Sequence, residues 1–237
     1  MIDIVNLEKK FGRPASTGAF SLRIENMRIT TAGIYGIIGP NGCGKTTVAK
    51  LISGVLSPDS GKIATCFTSE EITLVPQKSY MMDDTVYNNL VYPLRLRGIT
   101  PDKDLCNEWL AMAGLAEQRG QRARGLSAGE RQKLAMLRAM IFNPKLIILD
   151  EAMTDLDIDS LDLFEEMVLE RQKREPIVWI IISHQLAHIR RLCDYLFFMA
   201  AGRFEADGPA EELLVSPNPL MRRYLKHEVL ETVGMVK

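Results

Sequence analysis

Imbalance of charge is the first thing this chain of 237 residues lacks: Lys and Arg total 29 against 30 for Asp and Glu, a net charge of −1. With no basic excess there is no electrostatic footprint for nucleic acid or for an anionic membrane surface. Cysteine is scarce, and Cys43, Cys66, Cys106 and Cys193 include no C-x-x-C pair and no histidine at a zinc spacing. They read as reduced thiols of a cytosolic protein. Long apolar runs are missing as well. Runs such as Ile177 to Ile182 fall far short of the roughly 20 residues that cross a bilayer. The opening segment, Met1 to Leu7 followed by Lys9-Lys10, has neither the apolar core nor the cleavage site of a secretory signal. Aromatics make up 7% of the chain, and no repeat or low-complexity tract interrupts it. What is present, 46% hydrophobic and 25% charged residues, suits a soluble globular fold with a sizeable core.

Ile2, Ile4 and Leu7 alternate partly, and Phe20, Leu22 and Ile24 alternate cleanly, which predicts two antiparallel strands near the N-terminus. Ile34 to Ile38 is a short apolar run that stops at a glycine-rich turn. Val48, Leu51 and Ile52 then follow at helical spacing, so the order is strand, loop, helix. Pro58-Asp59-Ser60-Gly61 marks a turn and Ile72 to Val75 a further strand. From Thr85 to Met140 only helical signals occur. Pro101-Asp102 starts one helix, on which Leu105, Trp109 and Met112 are spaced to share a face. Strand-like runs return at 146–149, 177–182 and 195–199, separated by helix-length sequence, the rhythm of a mostly parallel sheet covered by helices. The expected architecture is one α/β domain over 1–237. Residues 1–79 and 136–237 form its core, and 80–135 an inserted all-helical subdomain.

Gly39-Pro40-Asn41-Gly42-Cys43-Gly44-Lys45-Thr46-Thr47 fits G-x-x-x-x-G-K-[ST] between a predicted strand and a predicted helix. Polyphosphate must shed water to bind, so it needs many backbone N–H donors converging on one point. Glycines at 39, 42 and 44 let the chain curl tightly enough to supply them, and the helix beginning near Lys45 adds its positive dipole end. Lys45 would reach the β- and γ-phosphates, and the Thr46 hydroxyl would ligate Mg²⁺. A thiol at a helix start beside a lysine should be acidic, which makes Cys43 the expected first target of alkylating reagents.

The 146–149 strand runs into Asp150-Glu151. Alone, such a pair is more often a helix N-cap or a solvated turn. Coupled to the phosphate loop, Asp150 becomes a candidate Mg²⁺ partner and Glu151 the group that polarises an attacking water. The 177–182 strand likewise ends in Ser183-His184-Gln185, where an imidazole could donate to a γ-phosphate and sense its loss. His188 and His227 have no such setting and are expected on the surface.

Leu126-Ser127-Ala128-Gly129-Glu130-Arg131-Gln132-Lys133 lies about 20 residues before that acidic pair and resembles the LSGGQ signature of the ATP-binding subunits of ABC transporters. The resemblance runs from about residue 2 to residue 215 and implies a P-loop NTPase core of RecA-like type. It makes Gln77 the Q-loop glutamine, which contributes to catalysis and to the metal site. Leu156-Asp157 becomes the D-loop with Asp157 at a dimer contact, His184 the switch histidine, and Phe11 the aromatic that stacks on adenine. Two copies would pair head to tail, so that Ser127, Gly129 and Glu130 of one meet ATP held by the phosphate loop of the other. ATP and Mg²⁺ are the implied cofactors. Ala128 and Glu130 depart from the signature, and Ala152-Met153-Thr154-Asp155 replaces the usual proline-containing run before the D-loop.

In such a family the segment around Tyr80-Met81-Met82 and Tyr87 would meet the coupling helices of transmembrane permease subunits. Packing of the first subdomain helix is an equal reading of the same residues. The stretch from Gln77 to Gly98 resembles ATPases of bacterial importers, among them those for the oxyanions tungstate, molybdate and phosphate. A substrate-binding protein and a peripheral place on the cytoplasmic face of the plasma membrane follow from that likeness. Beyond Pro219 the remaining residues leave no room for a regulatory domain. The rival expectations are a non-transport ABC ATPase and a nucleotide-gated switch.

Overall fold

The computed structural model describes residues 1–12, 20–154 and 156–234. Two sheets share one core. The smaller is antiparallel, with β1 (Ile2–Phe11) between β2 (Phe20–Ile29) and β4 (Ser60–Thr65). The imperfect alternation in β1 has a local cause. Asn6 adopts a left-handed conformation, φ 49°, and the register with β4 shifts between Val5 and Glu8. The extra residue lets Leu7 face inward after Ile2 and Ile4.

The larger sheet has the order β5-β6-β7-β3-β8-β9. β3 (Gly33–Ile38), β5 (Ile72–Val75), β6 (Leu146–Asp150), β7 (Val178–Ile182) and β8 (Tyr195–Ala200) pair in parallel, and β9 (Arg203–Pro209) adds an antiparallel edge. β6 and β7 are buried along their whole length, as their unbroken apolar runs require when both faces are covered. On one face, Ile37, Ile148 and Ile180 pack with α1 (Lys45–Ile52) and the antiparallel sheet. On the other, Ile147, Leu149, Trp179 and Ile181 pack with α4 (Ala128–Met140), α5 (Ile158–Arg174) and α6 (Leu186–Leu192). The chain then continues through α7 (Ala210–Leu213) and α8 (Pro219–Gly234).

The helical segment holds α2 (Val86–Leu96), α3 (Lys103–Met112) and the start of α4. Asp102 caps α3 as its sequence predicts, accepting from the amides of Asp104 and Leu105. The face of α3 is rotated from the expected one: Cys106 and Leu110 are buried, whereas Leu105 and Met112 are exposed and Trp109 is half-buried. α4 crosses residue 135 without a break, and Leu134, Met136, Leu137 and Met140 join the same cluster as β6. The helical segment and the sheet therefore share their apolar interior.

Because β3, β5, β6 and β7 are parallel, their carboxyl ends lie along one edge. In an open α/β sheet this is where ligands bind.

Candidate functional site

Four loops leave that edge and meet around a cavity of about 450 Å³. β3 delivers the glycine-rich loop, β6 the Asp150-Glu151 pair, β7 His184 and β5 Gln77. Asn41, Gly42, Gly44, Lys45, Thr46, Thr47, Gln77, Asp150, Glu151 and His184 all line it, together with Phe11 and Phe20. The tight loop depends on glycine at two points. Gly39 has φ 148°, and a Cβ there would fall 2.0 Å from the Met199 carbonyl oxygen. Gly44, φ 112°, turns the chain into α1. Pro40 is exposed on the loop and Gly39 buried beneath it.

Lys45 is buried and folds back over the loop, its Nζ donating to the Gly39 carbonyl at 2.6 Å and to the Pro40 carbonyl at 3.2 Å. The Thr46 hydroxyl donates to Asp150 Oδ1 at 3.1 Å. Burial raises the Asp150 carboxyl above its usual range, reinforced by the charge of Glu151 and opposed by Thr46 and Lys45. Thr46, Asp150 and Gln77 line the same cavity with hard-oxygen donors, a chemistry that fits Mg²⁺, an ion that keeps several waters and phosphate oxygens as ligands. Among the described residues no cluster of His, Cys, Asp and Glu forms a closed metal cage.

Adjacent strand residues point to opposite faces, yet Asp150 and Glu151 both face this cavity. Glu151 is the reason: it sits in the left-handed region at φ 52°, which swings its carboxylate back to the side of Asp150. Its Oε2 accepts from the Thr154 hydroxyl at 3.2 Å and lies 2.8 Å from His184 Nδ1. Neither Thr154 nor the geometry at residue 151 was legible from spacing. Phe20 was also missed as a site residue. It pairs with Phe11 in the register of β1 and β2, with ring centroids 6.2 Å apart, so two aromatics rather than one flank the cavity.

Two thiol and histidine expectations are overturned. Cys43 is 5% exposed, and desolvation raises its thiol more than Lys45 and the neighbouring amides lower it. His188 is buried, not on the surface, and bonded to Glu165. His227 is exposed as expected.

Ser127, Gly129 and Glu130 lie outside the cavity. Ser127 caps α4: its hydroxyl accepts from the Glu130 amide at 3.2 Å, while Glu130 Oε2 accepts from the Ser127 amide at 2.8 Å. This capping box, S-x-x-E in sequence, places the opening amides of α4 at the protein surface and holds the Glu130 carboxyl below its usual range. Gln132 reaches from α4 to the Ala152 carbonyl at 2.7 Å and ties this helix to the end of β6. Asp157 caps α5 and pairs with Lys133 of α4 at 3.2 Å. Asp155 lies outside the described residues.

A second cavity, about 760 Å³ and largely apolar, opens between the end of α1, β5, α2 and α4. Tyr80 and Met82 line it, joined by Val55 and Leu96. Tyr80 and Leu96 are 71% and 66% exposed. Met81 instead points into the core and Tyr87 is covered by the Arg119 guanidinium, so the expected surface is narrower at those two residues. No helix among the described residues is long and apolar enough to cross a membrane.

A family model described as ABC transporter matches residues 22–154. The chain belongs to the ABC transporter family, as an ATP-binding domain. Among relatives of this ABC protein, the tungstate uptake system ATP-binding protein TupC of Peptoclostridium acidaminophilum is 33% identical over 215 residues, covering 87% of this chain and 98% of TupC. The methionine import ATP-binding protein MetN 4 of Oceanobacillus iheyensis is 27% identical over 238 residues, covering 92% of this chain and 67% of that one. The fold is that of the ATP-binding cassette MJ0796, solved as a dimer in a post-hydrolysis state with ADP and Pi. The TM-score is 0.78 at 21% identity, over 89% of this chain and 99% of that one. The ABC domain thus carries an ATPase site on a P-loop NTPase fold with a mostly parallel sheet.

Proposed function

We propose that this chain is the ATP-hydrolysing subunit of a bacterial importer, that it acts as a head-to-tail homodimer on the cytoplasmic face of the membrane, and that the cargo is an oxyanion such as tungstate. The observation that carries the hydrolytic reading is the convergence of Lys45, Thr46, Asp150, Glu151 and His184 on one cavity. The likeness to TupC along nearly its entire length supports the importer and its substrate class.

Phe11 and Phe20 offer aromatic faces to adenine. The amides of residues 41–47 surround the phosphates, and Lys45 exchanges its two loop carbonyls for phosphate oxygens, which are stronger, charged acceptors. Thr46, Asp150 and Gln77 would hold Mg²⁺, which when bound would neutralise phosphate charge. Glu151 orients and deprotonates the attacking water. His184 lies against Glu151 through Nδ1 and would donate to the γ-phosphate through Nε2, so departure of phosphate removes one of its two partners.

Ser127 and the α4 amides form a second anion site, one that the same chain does not bring to its own cavity. A second copy supplies it across the interface, where Asp157 lies at the contact. Bound triphosphate then favours the closed pair and hydrolysis releases it. The apolar groove beside Tyr80, Met82 and Leu96 receives the permease, which passes this motion to the membrane, with a substrate-binding protein on the far side delivering the cargo.

Replacing Glu151→Gln in the full chain tests the assignment. ATP binding is retained, turnover is abolished and a nucleotide-bound dimer accumulates in solution scattering. Hydrolysis at the unmodified rate in that variant overturns the role of Glu151. Lys45→Ala weakens ATP binding itself, because the loop loses its main counter-charge. In cells carrying the chain with its permease, Lys45→Ala abolishes tungstate accumulation. Unchanged tungstate uptake alongside abolished ATPase activity overturns the substrate and leaves the ATPase reading intact.

A further inference from the structure

One helical turn after His184, His188 is enclosed between α5 and α6. Its Nδ1 lies 2.8 Å from Oε1 of Glu165 on α5, a carboxylate that is 1% exposed. Its Nε2 contacts the Gln185 side-chain oxygen. Arg191 completes the cluster, with Nε 2.8 Å from Glu165 Oε2 in an ion pair and Nη1 donating to Asp162 at 3.2 Å. A buried carboxylate is tolerated only when it is matched, and here both of its partners come from α6. Glu165 therefore fixes α6 against α5 at two points nearly one turn apart.

Gln185 is the residue before α6 and the chain neighbour of His184. The Gln185 side chain makes no bond to the first amides of that helix. Its amide is engaged by His188 instead. The imidazole bridges the two whichever way the Gln185 amide is turned. A protonated Nε2 donates to its oxygen, and a bare Nε2 accepts from its nitrogen.

We infer that His188 is a positioning residue for hydrolysis: the strut Glu165–His188–Gln185 fixes the backbone at His184 and so sets the 2.8 Å approach of its Nδ1 to Glu151. The inference rests on the roles proposed above for Glu151 and His184. It differs from a simple clamp between helices because the Nε2 arm matters to His184, whereas a clamp needs only the Nδ1 arm.

Asparagine and glutamine separate the two arms. An Asn amide nitrogen falls near the place of Nδ1 and a Gln amide nitrogen near that of Nε2, so H188N keeps the Glu165 arm and H188Q the Gln185 arm. Q185A breaks the second arm while leaving the buried pair with Glu165 untouched, and serves as the variant that keeps its fold. The chain has three histidines, so the imidazole nitrogens of His184 can be followed individually by ¹⁵N NMR in the full-length protein. In H188N and Q185A the His184 Nδ1 resonance moves, and kcat for ATP falls about tenfold, in the range of outer-shell effects, with KM unchanged. H188Q, which loses the Glu165 anchor, moves the resonance as well. A His184 resonance unmoved in H188N or in Q185A, both of which leave the Glu165 arm in place, is what a simple clamp between helices gives and overturns the strut. The NMR readout does not depend on turnover, so absence of ATPase activity in the unmodified chain overturns the proposed function and leaves the strut to be decided by the resonance alone.

Discussion

At Cys43 two forces on one thiol oppose each other. The start of α1 and the Lys45 charge favour the thiolate, and the packing around the loop removes the water that a thiolate needs. Desolvation is the larger, and the same cause raises Cys106 and, most strongly, Cys193. Cys66 is the exposed thiol. In the native chain a maleimide therefore modifies Cys66 first, with the other three labelled only on unfolding, and C66S removes the fast phase. Peptide mapping that finds Cys43 labelled at the rate of Cys66 contradicts this. The burial of His188 has the same kind of cause. Residue type and spacing pointed to Lys45, Asp150 and His184, which line one cavity, because those side chains are placed by the loops that carry them. Burial at Cys43 and His188 is conferred by residues distant in sequence, such as Met199 beside the Cys43 loop and Glu165 against His188, and no local pattern announces it.

Helix starts carry the electrostatics at the scale of elements. Asp157 accepts from the Ser160 amide and hydroxyl, at 2.8 and 2.6 Å, and these bonds, with help from Lys133, lower its carboxyl to about 2. The unfolded value is about 3.9. A lowered folded value means that the unfolded chain takes up the proton first as pH falls. The stabilisation is whole above about pH 4 and is lost between there and about pH 2. D157N keeps an oxygen acceptor for the cap but has no carboxyl to titrate, so its stability falls less steeply over that interval in denaturant titrations. S127A, which removes half of the capping box of α4, costs roughly 0.5–2 kcal/mol of stability in the same measurement. Elements were legible where apolar residues run unbroken, as in β3, β6 and β7, or recur at helical spacing, as in α1. β4 carries only the turn signal at its first two residues, Ser60-Gly61, and β9 no strand signal, because both are edge strands. β4 is almost wholly exposed, and β9 alternates between exposed and half-buried residues without a continuous apolar side. Their pairing is dictated by neighbours, not by their own pattern.

In the whole molecule, the start of α4, proposed above as one half-site, is tied to the end of β6, which lines the phosphate-loop cavity, by the Gln132 bond to Ala152, and to the start of α5 by the Asp157–Lys133 pair, which gives a route for movement at one to reach the other. That coupling is useful only if the triphosphate joins two copies, which makes the sharing of the site open to a mixing experiment. K45A disables the phosphate loop but leaves the signature intact; S127E puts a charge repelling phosphate at the signature but leaves the loop intact. Each variant alone is inactive as a homodimer. A mixed pair related by a two-fold axis has one site in which both defects coincide and one in which neither is present. Random association of equal amounts makes about half of the dimers mixed, so ATPase activity returns to about a quarter of the unmodified rate for sites that act independently. A site completed within one chain gives no such recovery at any mixing ratio, because every chain in the mixture then carries its own defect to its own nucleotide.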